Sequence, residues 1–221
     1  MGKNAFTLAE VLITLSIIGV VAAMTMPTLI GKYNKMVWTN QLKKSYSTVS
    51  QGFQKMLADE SAPDILSTSF VSERESLGKY LKTLNITNGD RNNAIAYYME
   101  NASGKVSNED LSDELTEKYD KYNLADGSIL YTYPSIDKKV YIDVNGNKGP
   151  NVVDRDLFYF YLEESGILKP FIAANVRSCA PRCVGSGPRE ICMKVCSDIP
   201  GLDIPGSGAA RIMQAGWKME Y

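Results

Sequence analysis

The chain has 221 residues, 44% of them hydrophobic, and its 24 basic and 25 acidic residues leave a net charge of -1. This balance gives no basic footprint, so we expect no nucleic acid among its partners. The chain has no histidine, which excludes Ser-His and His-zinc chemistry, and we expect a protein that is not an enzyme.

The most apolar segment is residues 6–30, FTLAEVLITLSIIGVVAAMTMPTLI. About 20 apolar residues in a helix span about 30 Å of hydrocarbon, so this segment is long enough to cross a membrane. Its Thr and Ser hydroxyls can bond back to the carbonyls of their own helix. Glu10 is its one ionisable side chain. Because a carboxylate at membrane depth costs roughly 2.5 to 3.5 kcal/mol, the sequence predicts a partner for Glu10.

Two other kinds of membrane segment are alternatives. A cleaved secretory signal would have an apolar core from Val11 to Val21 and small residues before the cut, but Glu10 and the apolar run to Ile30 argue against it. An ordinary anchor is the second alternative. Four lysines follow the segment and only Lys3 precedes it, so the positive-inside rule alone would place the following domain in the cytoplasm.

Residues 2–10, GKNAFTLAE, resemble the N-terminus of a type IV prepilin, the signal shared by type IV pilins and type II secretion pseudopilins. The resemblance implies that a prepilin peptidase cuts between Ala5 and Phe6 and methylates the new amine of Phe6. The family usually has Gly where this chain has Ala5. Glu10 then takes the fifth mature position, where the family's Glu neutralises the amine of a neighbouring subunit.

The resemblance also implies function and location. It implies a structural subunit of a type IV pilus or a type II secretion pseudopilus, and the alternative is a minor subunit that binds at a tip, in adhesion, secretion or DNA uptake. The implied partners are other copies of the chain, other pilins or pseudopilins, the peptidase and the inner-membrane assembly machinery. The implied location is the bacterial inner membrane, crossed once with the large domain outside the cytoplasm, and then a periplasmic or extracellular filament.

Residues 1–5 are thus the expected leader and residues 6–30 the transmembrane and assembly helix. The helix should continue over residues 31–62 as an amphipathic segment. One apolar stripe recurs there at helical spacing: Leu42, Tyr46, Val49, Phe53 and Met56. Ala62-Pro63 should end the helix, because the residue before a proline is pushed out of helical geometry.

Residues 63–126 are expected to be a variable insertion with short helices. The pattern of Ser72 and Glu75 predicts a helix from about Glu73 to Leu84. A second helix is predicted after Asn108, with Leu111, Leu115, Tyr119 and Tyr122 on one face. Asn85 to Asp90 has turn-forming composition, and Ala94 to Met99 is predicted as a short strand.

Residues 127–221 are expected to form an antiparallel sheet and a Cys-rich tail. Predicted strands run over Ile129–Tyr133, Val140–Val144 and Leu157–Leu162, and a last one over Gly216–Tyr221. The resemblance implies an α+β, pilin-like fold: a long N-terminal helix, transmembrane in its first half, packed against a C-terminal antiparallel sheet with a disulfide-rich end. The tyrosines are expected in the core or on the sheet faces, and Asp154-Asp156 as surface charge.

The four cysteines, Cys179, Cys183, Cys192 and Cys196, form two C-x3-C pairs. A zinc site with four thiolates would tolerate this spacing. An exported domain matures in an oxidising compartment, which favours two disulfides. The Gly185–Pro188 turn favours nested pairs, Cys179 with Cys196 and Cys183 with Cys192.

The loop from Asp143 to Asp154 places oxygen side chains at the spacing of a calcium loop. They are Asp143, Asn145, Asn147, Asn151 and Asp154, at positions one, three, five, nine and twelve. The loop resembles those of dockerin and EF-hand proteins, but Lys148 replaces the usual Gly and Asp154 the usual Glu. The alternative is a strand connection whose Asn and Asp side chains cap their own turns, and these departures favour it. If this loop binds a cofactor, that cofactor is expected to be calcium.

Overall fold

A computed structural model describes residues 7–88, 94–101, 104–107, 109–133, 138–170 and 208–220, with all side chains there except those of residues 88, 99–101, 104–107, 109 and 110. By its internal contacts the chain divides into two units, Met1–Val37 and Trp38–Tyr221.

Helix α1 runs over Leu8–Asp59. The predicted stripe is confirmed, because Leu42, Val49, Phe53 and Met56 have no solvent exposure. The helix stops at Asp59, before Pro63 as predicted. Ser61 takes a left-handed conformation with φ of 48°. The amide of Ala62 donates to the Leu57 carbonyl at 3.1 Å and that of Ser61 to the Ala58 carbonyl at 3.2 Å, which is a Schellman ending.

The larger unit contains a six-stranded antiparallel sheet. In their order across the sheet its strands are β1 Thr83–Asn88, β4 Asp120–Leu124, β5 Ile129–Thr132, β6 Lys139–Asp143, β7 Leu157–Leu162 and β8 Leu168–Pro170. A separate hairpin pairs β2 Tyr98–Asn101 with β3 Gly104–Ser107. The predicted strands over 129–133, 140–144 and 157–162 are therefore confirmed to within one or two residues.

One face of this sheet forms the main core. Leu130, Ile142 and Phe158 lie opposite one another on neighbouring strands and join the α1 stripe in one buried cluster. Alternate residues point to the other face, where Tyr97 and Tyr131 belong to a second cluster. The α+β prediction, a long N-terminal helix with a C-terminal antiparallel sheet, is confirmed.

The predicted helix from Glu73 to Leu84 is wrong. The structure has a short helix α2, Ser69–Ser72, then a 3-10 turn, Ser76–Lys79, and then strand β1. Glu75 is left-handed with φ of 65° and its side chain makes no cap. The buried Asp120 carboxylate contacts this segment, 3.0 Å from Arg74 Nε and 3.4 Å from the Glu75 amide, and so holds it away from helical geometry.

The turn predicted over Asn85–Asp90 is also wrong for its described part. Residues 85–88 lie in β1, where Ile86 and Thr87 pair with Tyr122 and Lys121 of β4. β-branched residues favour such a paired strand, and the pairing decides the conformation of a polar stretch.

Helix α3, Glu109–Glu117, confirms the second predicted helix but is shorter. Tyr122 was assigned to the face of that helix, and this was wrong because Tyr122 lies in β4 and faces the main core. Strand β2 begins only at Tyr98, so the predicted strand over Ala94–Met99 is confirmed only at its end.

The strand predicted over Gly216–Tyr221 is wrong for its described residues, 216–220. A short helix α4, Gly208–Gln214, precedes them. Trp217 then has φ of 65°, and its ring packs on Tyr46 with centroids 5.6 Å apart. The alternation of large and charged side chains therefore reflects Trp217 and Met219 packing on the main core without any strand pairing of these described residues, while Lys218 and Glu220 are exposed.

Glu60 joins the end of α1 to the segment that follows it. Its carboxylate accepts hydrogen bonds from the Ser69 amide at 2.6 Å, the Ser69 hydroxyl at 2.5 Å and the Tyr80 hydroxyl at 3.3 Å. The Ser69 bonds hold the pKa of Glu60 below its usual value. A carboxyl with a depressed pKa stabilises the fold above its unfolded pKa, and this stability is lost as the pH falls through the folded pKa.

We therefore expect Glu60→Ala to destabilise the chain by about 1 kcal/mol at neutral pH and by less in acid. Thermal unfolding of the detergent-solubilised chain at a series of pH values measures this. Tyr80→Phe, which removes only the longest of the three bonds, is the milder control. An equal loss of stability for Glu60→Ala at all pH values would contradict a role for the charge.

Candidate functional site

The N-terminal part of α1 exposes nearly all of its apolar side chains. Leu8 is 79% exposed and Met24 is 74% exposed. Exposed large hydrophobic residues continue along this part of the helix: Val11, Leu12, Ile13, Leu15, Ile17, Ile18, Val20, Val21, Met26, Leu29 and Ile30. A continuous run of exposed apolar side chains such as this one marks a surface for lipid or for another protein.

α1 is the one described helix whose length and apolar composition suffice to cross a bilayer. The hydroxyls of this part bond inside the helix as predicted, Thr14 to the Val11 carbonyl at 3.0 Å and Ser16 to the Leu12 carbonyl at 2.8 Å. In an apolar environment these bonds satisfy the hydroxyls. Glu10 is the one charged residue between Leu8 and Ile30.

Glu10 contacts Thr7, the residue just before α1. Its Oε2 atom accepts hydrogen bonds from the Thr7 amide at 2.8 Å and from the Thr7 hydroxyl at 2.9 Å. In return the Glu10 amide donates to Thr7 Oγ1 at 3.2 Å. This reciprocal pair is a capping box. The capping role of Thr7 was not predicted, although the T-x-x-E spacing of Thr7 and Glu10 is the sequence signal that identifies it. Ala5 and Phe6, the predicted cleavage and methylation residues, lie outside the described residues.

The loop between β6 and β7 is built around two buried carboxylates. Asp143 and Asp156 both have no solvent exposure. Asp156 accepts hydrogen bonds from the amides of Asn151 at 2.7 Å and Val152 at 2.6 Å. The prediction of Asp154-Asp156 as surface charge was therefore wrong for Asp156, because the loop folds its backbone amides around this carboxylate.

Asp143 is held from three sides. Its Oδ1 accepts from the amides of Asn145 at 3.1 Å and Gly146 at 2.8 Å, and its Oδ2 accepts from the Tyr97 hydroxyl at 2.8 Å. Gly146 has φ of 61°, and a side chain there would meet the Gly127 carbonyl, so the turn needs a glycine. Burial raises the pKa of Asp143 to about 7, against the lowering effect of the Tyr97 hydroxyl and with a further rise from the Asp156 charge.

Three of the predicted calcium ligands, Asp143, Asn145 and Asn151, lie around Asp156. The Asn145 side chain donates to the Gly149 carbonyl at 3.2 Å, and burial raises the pKa of Asp156 while the proximity of Asn145 lowers it. The side-chain oxygens of Asn145 and Asn151 are buried and accept no hydrogen bond from the described residues. They are the two oxygens that a cation beside Asp143 and Asp156 would use.

The other two predicted ligands do not join them. Asn147 is exposed, and Asp154 accepts a hydrogen bond from the Gly208 amide at 2.6 Å, at the start of α4. Among the described residues no group of three His, Cys, Asp or Glu side chains is placed to hold a metal. A cation in this loop would therefore have two carboxylates, Asp143 and Asp156 in place of Asp154, beside the two amide oxygens, and the hydrogen bonds to Asp143 equally fit a turn that caps itself. Calcium binding stays a prediction.

We expect calcium to raise the melting temperature of the detergent-solubilised chain. At a calcium concentration a hundredfold above the dissociation constant, the free energy of unfolding should rise by about 2.7 kcal/mol. The increment should be lost in Asp143→Asn and kept in Asn147→Ala, the matched control on the exposed side of the loop. A melting temperature that is the same in calcium and in chelator would show that this loop is a self-capping turn and not a calcium site.

The four cysteines lie outside the described residues, and the two disulfides stay a prediction.

The prediction that tyrosines pack in the core or on the sheet faces is confirmed for Tyr97 and Tyr131, which are buried and lie edge to face with ring centroids 6.1 Å apart.

The comparison with known families finds a signature at the N-terminus of the chain. The model of the prokaryotic N-terminal methylation motif matches residues 1–26. No curated protein and no solved structure matches the chain. The matched residues contain Glu10 and lead into the exposed apolar part of α1, as the resemblance implied. At its N-terminus this chain carries the signature of the type IV pilin and pseudopilin family.

Proposed function

We propose that this chain is a structural subunit of a type IV pilus or a type II secretion pseudopilus, that a prepilin peptidase processes it, and that it polymerises through residues 6–30. The observation that supports this most is the exposed apolar part of α1 in the same residues that match the methylation motif. Burying that surface against sister helices would drive assembly. The function is not enzymatic in this proposal, and the absence of histidine agrees with that.

In the membrane the subunit would cross the bilayer once, with the sheet domain outside the cytoplasm. The assembly machinery would then extract it into a periplasmic or extracellular filament made with other pilins or pseudopilins. Glu10 would pair with the methylated amine of a neighbouring Phe6. This contact compensates two charges that are each costly in an apolar environment.

Processing is the first test of the proposal. We expect the protein isolated from cells to begin at Phe6 with a methylated amine, which intact mass and N-terminal sequencing measure. Ala5→Gly should be cut at least as well, and Ala5→Leu, which enlarges the residue before the cut, should block cleavage. A start near Ala23 would indicate a secretory signal, and an uncut Met1 an ordinary anchor.

Abundance separates a main structural subunit from a minor one. A main subunit should dominate sheared filaments by mass, whereas a minor tip subunit should be present at a few copies per filament. Quantitative mass spectrometry of sheared filaments distinguishes the two.

A further inference from the structure

A pocket of about 360 Å³ opens on the surface of the larger unit, beside the turn that joins β7 to β8. Its lining residues are Lys138, Tyr161, Glu163, Glu164 and Ser165. Pockets of about 300 to 1,000 Å³ have the size that holds a small-molecule ligand. Because every lining residue is polar or aromatic, the pocket suits a ligand that is itself polar.

The turn beside the pocket is fixed by its backbone. The Gln54 side chain donates to the Ser165 carbonyl at 2.9 Å, and the Ile65 amide donates to the Glu164 carbonyl at 2.8 Å. These bonds use carbonyls of the turn, so the side chains of Glu164 and Ser165 stay available to the pocket. A site that is held in place before its ligand arrives loses less entropy on binding.

The charges at the pocket are already compensated. Lys138 Nζ lies 2.9 Å from Glu164 Oε1, and Lys169 Nζ lies 2.5 Å from Glu163 Oε1. A charged ligand would have to displace one member of such a pair. Neutral hydroxyl groups can form hydrogen bonds here while both ion pairs remain, so the charges favour a neutral ligand.

Hydrogen-bonding atoms at the pocket remain open within the described part of the chain. The Lys138 side chain is only 7% exposed, and its ammonium donates one of the three hydrogen bonds that it can form. Glu164 Oε2 and the Tyr161 hydroxyl have no partner among the described residues. Tyr161 is 40% exposed, so its ring adds an apolar surface next to these donors and acceptors.

We propose that this pocket binds a neutral sugar residue. The Tyr161 ring stacks on the C–H face of the sugar, the Lys138 ammonium donates to one hydroxyl, and Glu164 Oε2 accepts from the next. A sugar matches the pocket because each of its hydroxyls both donates and accepts. The proposal goes beyond the filament function and does not depend on it, since the pocket lies outside residues 6–30.

Saturation-transfer NMR on the full chain tests this, in a detergent without a sugar headgroup and with glucose, galactose, mannose and N-acetylglucosamine as probes. We expect at least one of these sugars to bind, with a dissociation constant of roughly 1 mM for so small a ligand. Tyr161→Ala and Glu164→Gln should each weaken binding about tenfold. Ser165→Phe, which fills the pocket, should abolish it.

Two matched controls should bind as wild type does. Tyr33→Ala removes an exposed tyrosine of α1 that does not line the pocket. Glu73→Gln alters another exposed carboxylate in an ion pair, 3.4 Å from Lys79.

Three results would overturn the proposal. The first is that none of the four sugars binds. The second is that a sugar binds equally well to wild type, Tyr161→Ala and Ser165→Phe, which would place it elsewhere on the chain. The third is that free lysine or glutamate binds in the pocket and the sugars do not, which would show that the ion pairs open for a charged ligand.

Discussion

Glu10→Leu is expected to leave membrane insertion intact and to remove almost all of the subunit from filaments. The leucine suits the bilayer better than the carboxylate does, so insertion should not suffer. In the assembled state, however, the charged amine of the neighbouring subunit would lose its partner in an apolar environment. That loss costs roughly 2.5 to 3.5 kcal/mol, which corresponds to about a hundredfold weaker contact between subunits.

The fraction of the variant in sheared filaments, relative to its membrane pool, measures this effect. Thr14→Leu is the matched control, because it removes a polar side chain of the same segment whose hydroxyl bonds only inside its own helix. Thr14→Leu should assemble normally. Wild-type incorporation of Glu10→Leu would show that the carboxylate does not pair subunits.

Glu10→Gln distinguishes the charge from the hydrogen bonds. The amide oxygen of glutamine can still accept from Thr7, so the helix cap should survive. The attraction to the charged amine would be lost. We expect its incorporation to lie between that of wild type and that of Glu10→Leu.

Asp156→Ala is expected to have the largest effect on stability. Asp156 has no solvent exposure and accepts the amides of Asn151 at 2.7 Å and Val152 at 2.6 Å. The alanine variant leaves these donors without an acceptor, at about 1 to 3 kcal/mol each. Relief of the repulsion with Asp143 offsets a part of this, so we expect a loss of about 3 kcal/mol, or about 6 to 12 °C in melting temperature.

Thermal unfolding of the detergent-solubilised chain measures this loss, with Asn147→Ala as the control because Asn147 is exposed in the same loop. The melting temperature of Asp156→Asn should lie between those of Asp156→Ala and Asn147→Ala, since one amide oxygen can accept only part of the hydrogen bonds that the carboxylate accepts. A melting temperature within a degree of wild type for Asp156→Ala would contradict the role of Asp156 as the centre of this loop.

The sequence by itself was sufficient for the elements whose signal is local. The apolar length of residues 6–30, the helical stripe from Leu42 to Met56 and the aromatic run of Leu157–Leu162 are local signals, so the helix and this strand were predicted close to their observed bounds. Glu10 was identified because one charge in an apolar segment is visible without any structure. Thr7 could have been found by the same local rule, its spacing from Glu10.

Only the tertiary structure decided the elements whose conformation depends on distant residues. The segment from Glu73 to Asn88 has a helix-start pattern, but Asp120 binds Arg74 and the Glu75 amide across the fold, and β4 pairs with the polar strand β1. Likewise Asp154 and Asp156 are two residues apart and chemically identical. The fold directs Asp154 to the Gly208 amide and Asp156 to its own loop. Local spacing contains no information on such contacts, because the free energy of long-range pairing and burial outweighs a few tenths of a kcal/mol of helix propensity.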